Sequence, residues 1–143
     1  MQVKECMTSQ CLYVSPETTL RDVANMMRDE DIGFLPVTQN DKMIGMVTDR
    51  DIVIRCVAEG CDPESSTVQE AMTEKTYYCF EDQDIEEVAS NMGDIQVRRL
   101  PVVSREKRLV GIISLGDISQ ASAKKSGEAT QSITQDISQK RAA

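Results

Sequence analysis

Two residue pairs in the sequence combine a hydroxyl group with a carboxylate three positions later. Thr48 precedes Asp51, and Ser114 precedes Asp117. Each pair follows an apolar run and opens a predicted helix, which is the pattern of a capping box, where both side chains satisfy backbone amides of the first helical turn. The same helix N-terminus offers free N–H groups and a partial positive charge to an anion.

These pairs also suit a nucleotide. A hydroxyl at a helix N-terminus can donate to a phosphate, and a carboxylate one turn further in can accept both hydrogens of a ribose diol. The pairs are therefore either helix caps alone or parts of a nucleotide site. Gly45 and Gly111, in the preceding strands, also have two interpretations. They permit close approach of a ligand to the sheet, or they serve packing.

The elements that position these pairs are repeated along the chain. Residues 3–37 align without gaps on residues 68–102, at an offset of 65. One inserted residue in the segment 103–109 then shifts the offset, so that residues 44–52 match residues 110–118. The insertion lies between two apolar runs and predicts a longer turn in the second copy.

Each copy predicts the element order β-α-β-β-α. A helical stripe is formed in the first copy by Leu20, Val23, Ala24 and Met27, and in the second by Ile85, Val88, Ala89 and Met92. Strands are predicted near 12–14 and 77–80, hairpins with Pro36 and Pro101 at a strand end or edge, and second helices over 50–59 and 117–125. The fold class is therefore α/β, with α+β character.

The copies define the predicted domains, which are residues 1–62 and 63–125, with Gly60–Ser66 as the linker and 126–143 as a tail. A copy of about 60 residues cannot cover its own sheet. We therefore expect the two copies to pack about a pseudo-twofold axis. The tail has Ile133 and Ile137 as its only large apolar residues, and it is predicted to be mobile or to order against a partner.

Together these motifs resemble the cystathionine-beta-synthase (CBS) domain in its tandem form, the Bateman module. The resemblance covers residues 3–125 and rests on three landmarks that occur in both copies. They are a Met-Thr entry at Met7-Thr8 and Met72-Thr73, a Leu-Pro-Val strand at 35–37 and 100–102, and Gly-x-x-Thr/Ser-x-x-Asp at 45–51 and 111–117.

The resemblance implies a non-catalytic sensor that binds AMP, ADP, ATP or S-adenosylmethionine between its copies, requires no cofactor and signals to an effector protein. It assigns phosphate to Thr48 and Ser114, and ribose to Asp51 and Asp117. In the nucleotide-sensing subunit of AMP-activated protein kinase, a similar stretch uses an Arg just before the strand's Leu to face phosphate. This makes Arg99, with its neighbour Arg98, a candidate phosphate-binding residue.

The two clefts are predicted to be unequal. The first copy has Gly33 and Phe34 where the second has Arg98 and Arg99, and it adds Asp49 near the expected phosphate. The second cleft is therefore expected to bind nucleotide more tightly. The alternative is an interaction protein with the same fold whose clefts are empty. Association into a homodimer is a further expectation from the resemblance.

Charge and composition argue against several other classes. The net charge is −8, and neither copy has the basic excess that nucleic-acid binding needs. No segment predicts a membrane span or a secretory signal, so the expected location is cytoplasmic. The chain has no His, and Gly-Ile-Ile-Ser-Leu-Gly at 111–116 has the wrong spacing for a nucleophile elbow. No enzyme activity is predicted.

The five cysteines predict reduced, mostly packed thiols. Their number is odd and no export signal is present, which argues against a disulfide framework. Cys6 and Cys11, like Cys56 and Cys61, are five positions apart, whereas paired zinc ligands are usually two to four apart. A metal- or redox-responsive cysteine protein is therefore the less favoured alternative, and no metal site is assigned.

Overall fold

A computed structural model describes residues 1–126, with side chains described for residues 1–123. It contains helices and small sheets in the order that the repeat predicts. A short 3₁₀ turn at Val3–Glu5 precedes α1 (Leu20–Glu30), β1 (Phe34–Gln39), β2 (Lys42–Thr48), α2 (Asp49–Ile52), a π-helical segment (Val53–Val57), α3 (Val68–Ala71), β3 (Cys79–Phe80), α4 (Ile85–Ile95), β4 (Arg99–Val103), β5 (Leu109–Ser114) and α5 (Leu115–Ser126). The predicted tail begins at the last described residue, so residues 127–143 lie outside the description.

The first helix of each copy is built alike. Thr19 accepts a hydrogen bond from the amide of Asp22 at 3.2 Å, and Asp84 accepts one from Glu86 at 3.0 Å. Both helices end at a residue in the left-handed region, Asp31 at φ 52° and Gln96 at φ 60°, which are 65 positions apart. The predicted apolar stripe is buried at Leu20, Val23, Met27, Ile85, Val88 and Met92, but Ala24 is exposed.

The hairpins differ in their turns, as the inserted residue predicts. β1 and β2 are antiparallel, and Asn40 and Asp41 between them both have positive φ, as a two-residue hairpin turn requires. β4 and β5 are separated by the longer segment 104–108. The predicted difference in turn length is confirmed.

The first strand of each copy is shorter than predicted. β3 pairs in parallel with β4 through Cys79 and Val102. In the first copy the same positions, Val14 and Val37, form a single parallel bridge. Pro36 lies inside β1 instead of at its end, and its carbonyl accepts from the amide of Val14 at 3.0 Å. Pro36 has no N–H, and the missing donor would face the side of β1 on which only Val14 pairs. The pairing of β1 with β2 therefore loses no hydrogen bond.

The chain forms two compact units that do not coincide with the two sequence copies. We call Leu12–Thr76 together with Glu106–Leu109 the Asp51 unit, and Met1–Cys11, Tyr77–Arg105 and residues 110–126 the Asp117 unit. Each unit has its own apolar core. That of the Asp51 unit includes Leu20, Leu35, Val47 and Val68, and that of the Asp117 unit includes Val3, Met92, Leu100 and Ile113.

The second helix of the first copy departs from the prediction. Its α-helical pattern lasts only from Asp49 to Ile52 and then widens, so that the amide of Ala58 donates to the carbonyl of Val53 at 2.9 Å. Cys56, at the end of this segment, forms a disulfide with Cys61. The prediction of reduced thiols is therefore wrong for this pair, because the wide turn and Gly60, at φ 74°, bring two cysteines five positions apart together. Cys6, Cys11 and Cys79 are free thiols.

Candidate functional site

Both hydroxyl and carboxylate pairs form reciprocal caps. The amide of Asp51 donates to Thr48 Oγ1 and the amide of Thr48 donates to Asp51 Oδ2, each at 3.0 Å. Ser114 and Asp117 repeat both bonds at the same distances. The structural interpretation of the pairs as capping boxes is confirmed. Each cap leaves one carboxylate oxygen outside the pair.

That remaining oxygen differs between the units. In the Asp51 unit, the hydroxyl of Thr73 donates to Asp51 Oδ1 at 3.4 Å. Across residues 1–123, Asp117 Oδ1 has no hydrogen-bond partner. A carboxylate oxygen at the first turn of the twelve-residue helix α5 is thus available to accept a hydroxyl from a ligand.

The arginine candidates lie beside the second cap. The amide of Leu115, the first residue of α5, donates to the carbonyl of Arg98 at 2.9 Å. This bond brings the backbone of Arg98 and Arg99 alongside Ser114, and both arginines are half-buried. The structure therefore unites four of the six predicted residues in the Asp117 unit and the other two, Thr48 and Asp51, in the Asp51 unit.

The Asp51 unit repeats this backbone bond with opposite charge. The amide of Asp49 donates to the carbonyl of Gly33 at 2.9 Å. A Cβ atom at Gly33 would lie 3.0 Å from a carboxylate oxygen of Asp49. The carboxylate therefore lies next to the position that Arg98 takes in the other copy, which makes this end of the Asp51 unit unfavourable to an anion.

Gly45 and Gly111 serve packing. A Cβ at Gly45 would lie 2.7 Å from the carbonyl oxygen of Thr73, and one at Gly111 would lie 2.5 Å from that of Thr8. The same backbone segments pair with the strands, since Thr8 and Ile112 exchange hydrogen bonds at 2.9 Å in both directions. The glycines thus make room for a neighbouring chain segment, where sequence alone left a ligand possible.

Two residues near the carboxylates were not predicted from the sequence. Thr73 bonds Asp51, and Cys6 lies close enough to Asp117 to feel its charge. Burial, and then the negative charges of Asp117 and Glu5, raise the pKa of the Cys6 thiol. Both residues belong to or adjoin the repeated Met-Thr entry, which was the available signal, but nothing in the sequence says which copy's carboxylate this entry approaches.

The part of the chain that the structure describes contains neither a membrane-spanning helix nor a cluster of metal-ligating side chains. Within residues 1–126 no helix is long and apolar enough to cross a membrane. In that same part of the chain, no three His, Cys, Asp or Glu side chains cluster as a metal site would require.

The repeated fold and caps define a tandem α/β domain protein, and comparison with known proteins names its family. The CBS domain model matches residues 3–57 and 68–124. The chain therefore belongs to the CBS domain family and contains two copies of the domain. It is 41% identical over 118 residues to Hypoxic response protein 1 of Mycobacterium tuberculosis, covering 82% of each chain.

Solved structures agree on the fold. A crystal structure of Hypoxic Response Protein I with two coordinated zinc ions has a TM-score of 0.74 and 38% identity, covering 85% of this chain and 98% of that one. The CBS domain pair of protein MJ0100, in complex with 5-methylthioadenosine and S-adenosyl-L-methionine, has a TM-score of 0.69 and 25% identity, covering 87% and 98%. The predicted CBS-pair fold is confirmed.

Proposed function

We propose that this protein is a non-catalytic sensor that binds an adenosine-type ligand in its CBS units and passes its state to a partner protein. The ligand is AMP, ADP, ATP or S-adenosylmethionine. The proposed binding residues are Thr48, Asp51, Arg98, Arg99, Ser114 and Asp117. No cofactor is needed for this role.

The observation that carries the proposal is the geometry around Asp117. One carboxylate oxygen is held by the amide of Ser114 at 3.0 Å, and the other has no partner among residues 1–123. The carboxylate is therefore already oriented when a ribose diol arrives, so little conformational entropy is lost on binding. Arg98 and Arg99 lie alongside the same cap and supply positive charge for a phosphate.

The comparison with MJ0100 supports an adenosine moiety. That CBS pair was solved with 5-methylthioadenosine and S-adenosyl-L-methionine, which share adenosine and differ in what is attached to it. A site in the same fold that recognises the ribose and base is therefore compatible with several 5′ substituents. We assign the phosphate preference to the two arginines, because the backbone of Arg98 bonds the first residue of the helix that carries the second cap.

A thermal-shift panel tests this function. AMP, ADP, ATP and S-adenosylmethionine are each added at increasing concentration, because a ligand that binds only the folded state raises the unfolding temperature by mass action. We expect at least one to give a saturable rise. 2′-Deoxy-AMP is the matched control for AMP and should bind about tenfold more weakly, since it lacks one hydroxyl of the diol.

The rival function is an interaction protein with empty clefts. No shift with any of the four ligands would favour it, as would equal shifts from AMP and 2′-deoxy-AMP, since the diol contact with Asp117 would then be absent. The two functions share the caps, which stabilise the helices with or without a ligand. They differ only in whether the second oxygen of Asp117 is used.

A homodimer in the cytoplasm is the expected form of the sensor. Val53, Ile54 and Val57 lie 56%, 44% and 64% exposed on one short helical segment of the Asp51 unit, and an apolar cluster of this kind favours a protein interface. Light scattering should give a mass of two chains. Val57→Asp should reduce it to that of one chain, whereas Arg50→Asp, on the neighbouring exposed turn, should not.

A further inference from the structure

A cavity of about 520 Å³ lies in the Asp117 unit, between β3 and α4. None of the six residues proposed to hold the adenosine ligand lines it. Its volume is within the range of about 300–1,000 Å³ typical of small-molecule sites. Three of the five aromatic side chains of the protein, Tyr77, Tyr78 and Phe80, form part of its wall.

The cavity can be traced to a difference between the two sequence copies. Asn91 of α4 lines it, and the residue 65 positions earlier in α1 is Met26. Met26 packs against the apolar core of the Asp51 unit, whereas Asn91 is exposed. A long apolar side chain that fills space in one copy is therefore replaced by a short polar one in the other.

Part of the aromatic wall is also specific to the second copy. Tyr77 stands where the first copy has Leu12 and Phe80 where it has Ser15, whereas Tyr78 matches Tyr13. The rings of Tyr78 and Phe80 meet edge to face with centroids 5.6 Å apart. The guanidinium of Arg105 lies 4.1 Å from the centroid of the Phe80 ring, so this wall already holds one cation against an aromatic face.

The polar groups of the cavity favour a cation or a hydrogen-bond donor. Asn91 and Asp94 lie three positions apart on α4 and share a face. Among residues 1–123 neither side chain has a hydrogen bond or an ion pair. Gln83, also in the lining, is already engaged with the Phe80 amide at 2.8 Å and with Glu87 at 3.0 Å. The available groups are thus one carboxylate and one amide.

The charge of α4 points the same way. The helix carries Glu86, Glu87 and Asp94 and no basic residue. Arg105, which lies over the Phe80 ring, forms a two-pronged ion pair with Asp82 at 2.8 and 2.9 Å, so its own charge is offset. An anion in the cavity would be repelled by the carboxylate of Asp94, and no compensating charge would offset that repulsion. A cation would instead be attracted to this carboxylate.

We propose that this cavity is a second binding site, which takes a small flat aromatic ring bearing an amidinium or ammonium group. The ring packs on Tyr77 and Tyr78, and the cation pairs with Asp94 while Asn91 accepts a further hydrogen bond. Adenosine ligands are not required for this site, so it stands or falls independently of the sensor function.

The probe is benzamidine, and its binding is monitored through the backbone amide signals of the protein in a ¹H–¹⁵N spectrum. We expect saturable shifts at the amides of 77–80 and 91–95. Benzamide, which has the same ring without the charge, should bind about tenfold more weakly, and Asp94→Asn should weaken benzamidine by a similar factor. Asp29→Asn is the matched control in the first copy and should leave the affinity unchanged.

A second variant guards against misfolding as an explanation. Asn91→Met introduces the residue that the first copy uses at this position, so it should fill the cavity and abolish saturable benzamidine binding without lowering the urea midpoint. The proposal is overturned if benzamidine gives no saturable shifts, if the shifts map elsewhere, or if Asn91→Met or Asp94→Asn binds it as well as wild type. Thermal shifts with AMP in Asn91→Met report separately on the sensor function.

Discussion

The carbonyl oxygen of Thr8 lies 2.5 Å from the point where a Cβ atom of Gly111 would stand. Thr8 belongs to the entry segment of the first copy and Gly111 to a strand of the second. Thr73 and Gly45 repeat the relationship at 2.7 Å with the copies reversed. Each compact unit therefore depends on a segment from the other copy, and neither copy can complete its unit alone.

A substitution at Gly111 should be costly. Gly111→Ala places a Cβ against the backbone carbonyl of Thr8, a residue that exchanges two hydrogen bonds with Ile112, so the entry segment must shift. We expect a loss of about 1–3 kcal/mol in the free energy of unfolding, measured by urea titration. The matched control is Gly93→Ala in α4, where nothing lies within 4 Å of the new methyl group, and it should stabilise by up to about 1 kcal/mol. Equal effects of the two would contradict the close contact.

The two carboxylates should contribute unequally to nucleotide binding. Asp117→Ala should abolish most of the heat observed when AMP is titrated, because it removes the oxygen that has no partner among residues 1–123, in the unit that also contains Arg98 and Arg99. Asp51→Ala should leave most of that heat. Each change removes a capping box, so each variant should lose about 0.5–2 kcal/mol of stability, and Asp51→Ala also loses the hydrogen bond from Thr73. The reverse ranking in calorimetry would show that the first cleft is the stronger one.

Reduction of the disulfide should destabilise the protein. The bond between Cys56 and Cys61 closes a loop between positions five apart, for which the loss of unfolded-state entropy corresponds to about 2 kcal/mol. Dithiothreitol should lower the urea midpoint of the wild type accordingly. Cys61→Ser should start at the lower midpoint and not respond to the reductant, and Cys11→Ser should respond as the wild type does. A wild-type urea midpoint that is unchanged by dithiothreitol would refute this prediction.

Stability should fall at high pH because of Cys79. Burial raises the pKa of this thiol from 9.0 to about 12, so the folded state holds a proton that the unfolded state releases above pH 9. The contribution is fully present below pH 9 and is lost as the pH rises toward 12, at up to about 1.4 kcal/mol per pH unit. Urea midpoints of the wild type and Cys79→Ala, compared from about pH 8 to about pH 10.5, isolate this slope. Parallel pH profiles would show that Cys79 does not hold the proton.

The repeat made much of the fold predictable. Apolar residues at 3.6 spacing located α1 and α4, and the single inserted residue predicted the longer turn between β4 and β5. The predicted caps at Thr48 and Ser114 formed with the expected partners, because a capping box depends only on residues three positions apart. The short first strands were overestimated, since pairing at Val14 depends on a distant strand and not on local propensity.

The disulfide and the wide turn before it were missed for a related reason. The odd number of cysteines and the lack of an export signal suggested packed thiols, and no residue type marks the change from α to π hydrogen bonding after Ile52. The partners of Asp51 and Asp117 beyond their caps were equally unpredictable. Thr73 is 22 positions from Asp51, and Cys6 is more distant still from Asp117 in the chain.

The sequence by itself determined that the chain contains two copies of one CBS domain, with a hydroxyl and a carboxylate capping the last helix of each. These features follow from local periodicity and short spacings. Only the tertiary structure decided that each unit takes its entry segment from the other copy, and that Asp51 has a second partner while Asp117 keeps an oxygen without a partner among residues 1–123. It also decided that Asn91 lines a cavity, whereas Met26, its counterpart, packs against a core. Each of these depends on contacts between residues far apart in the chain, and such contacts leave no periodic signal.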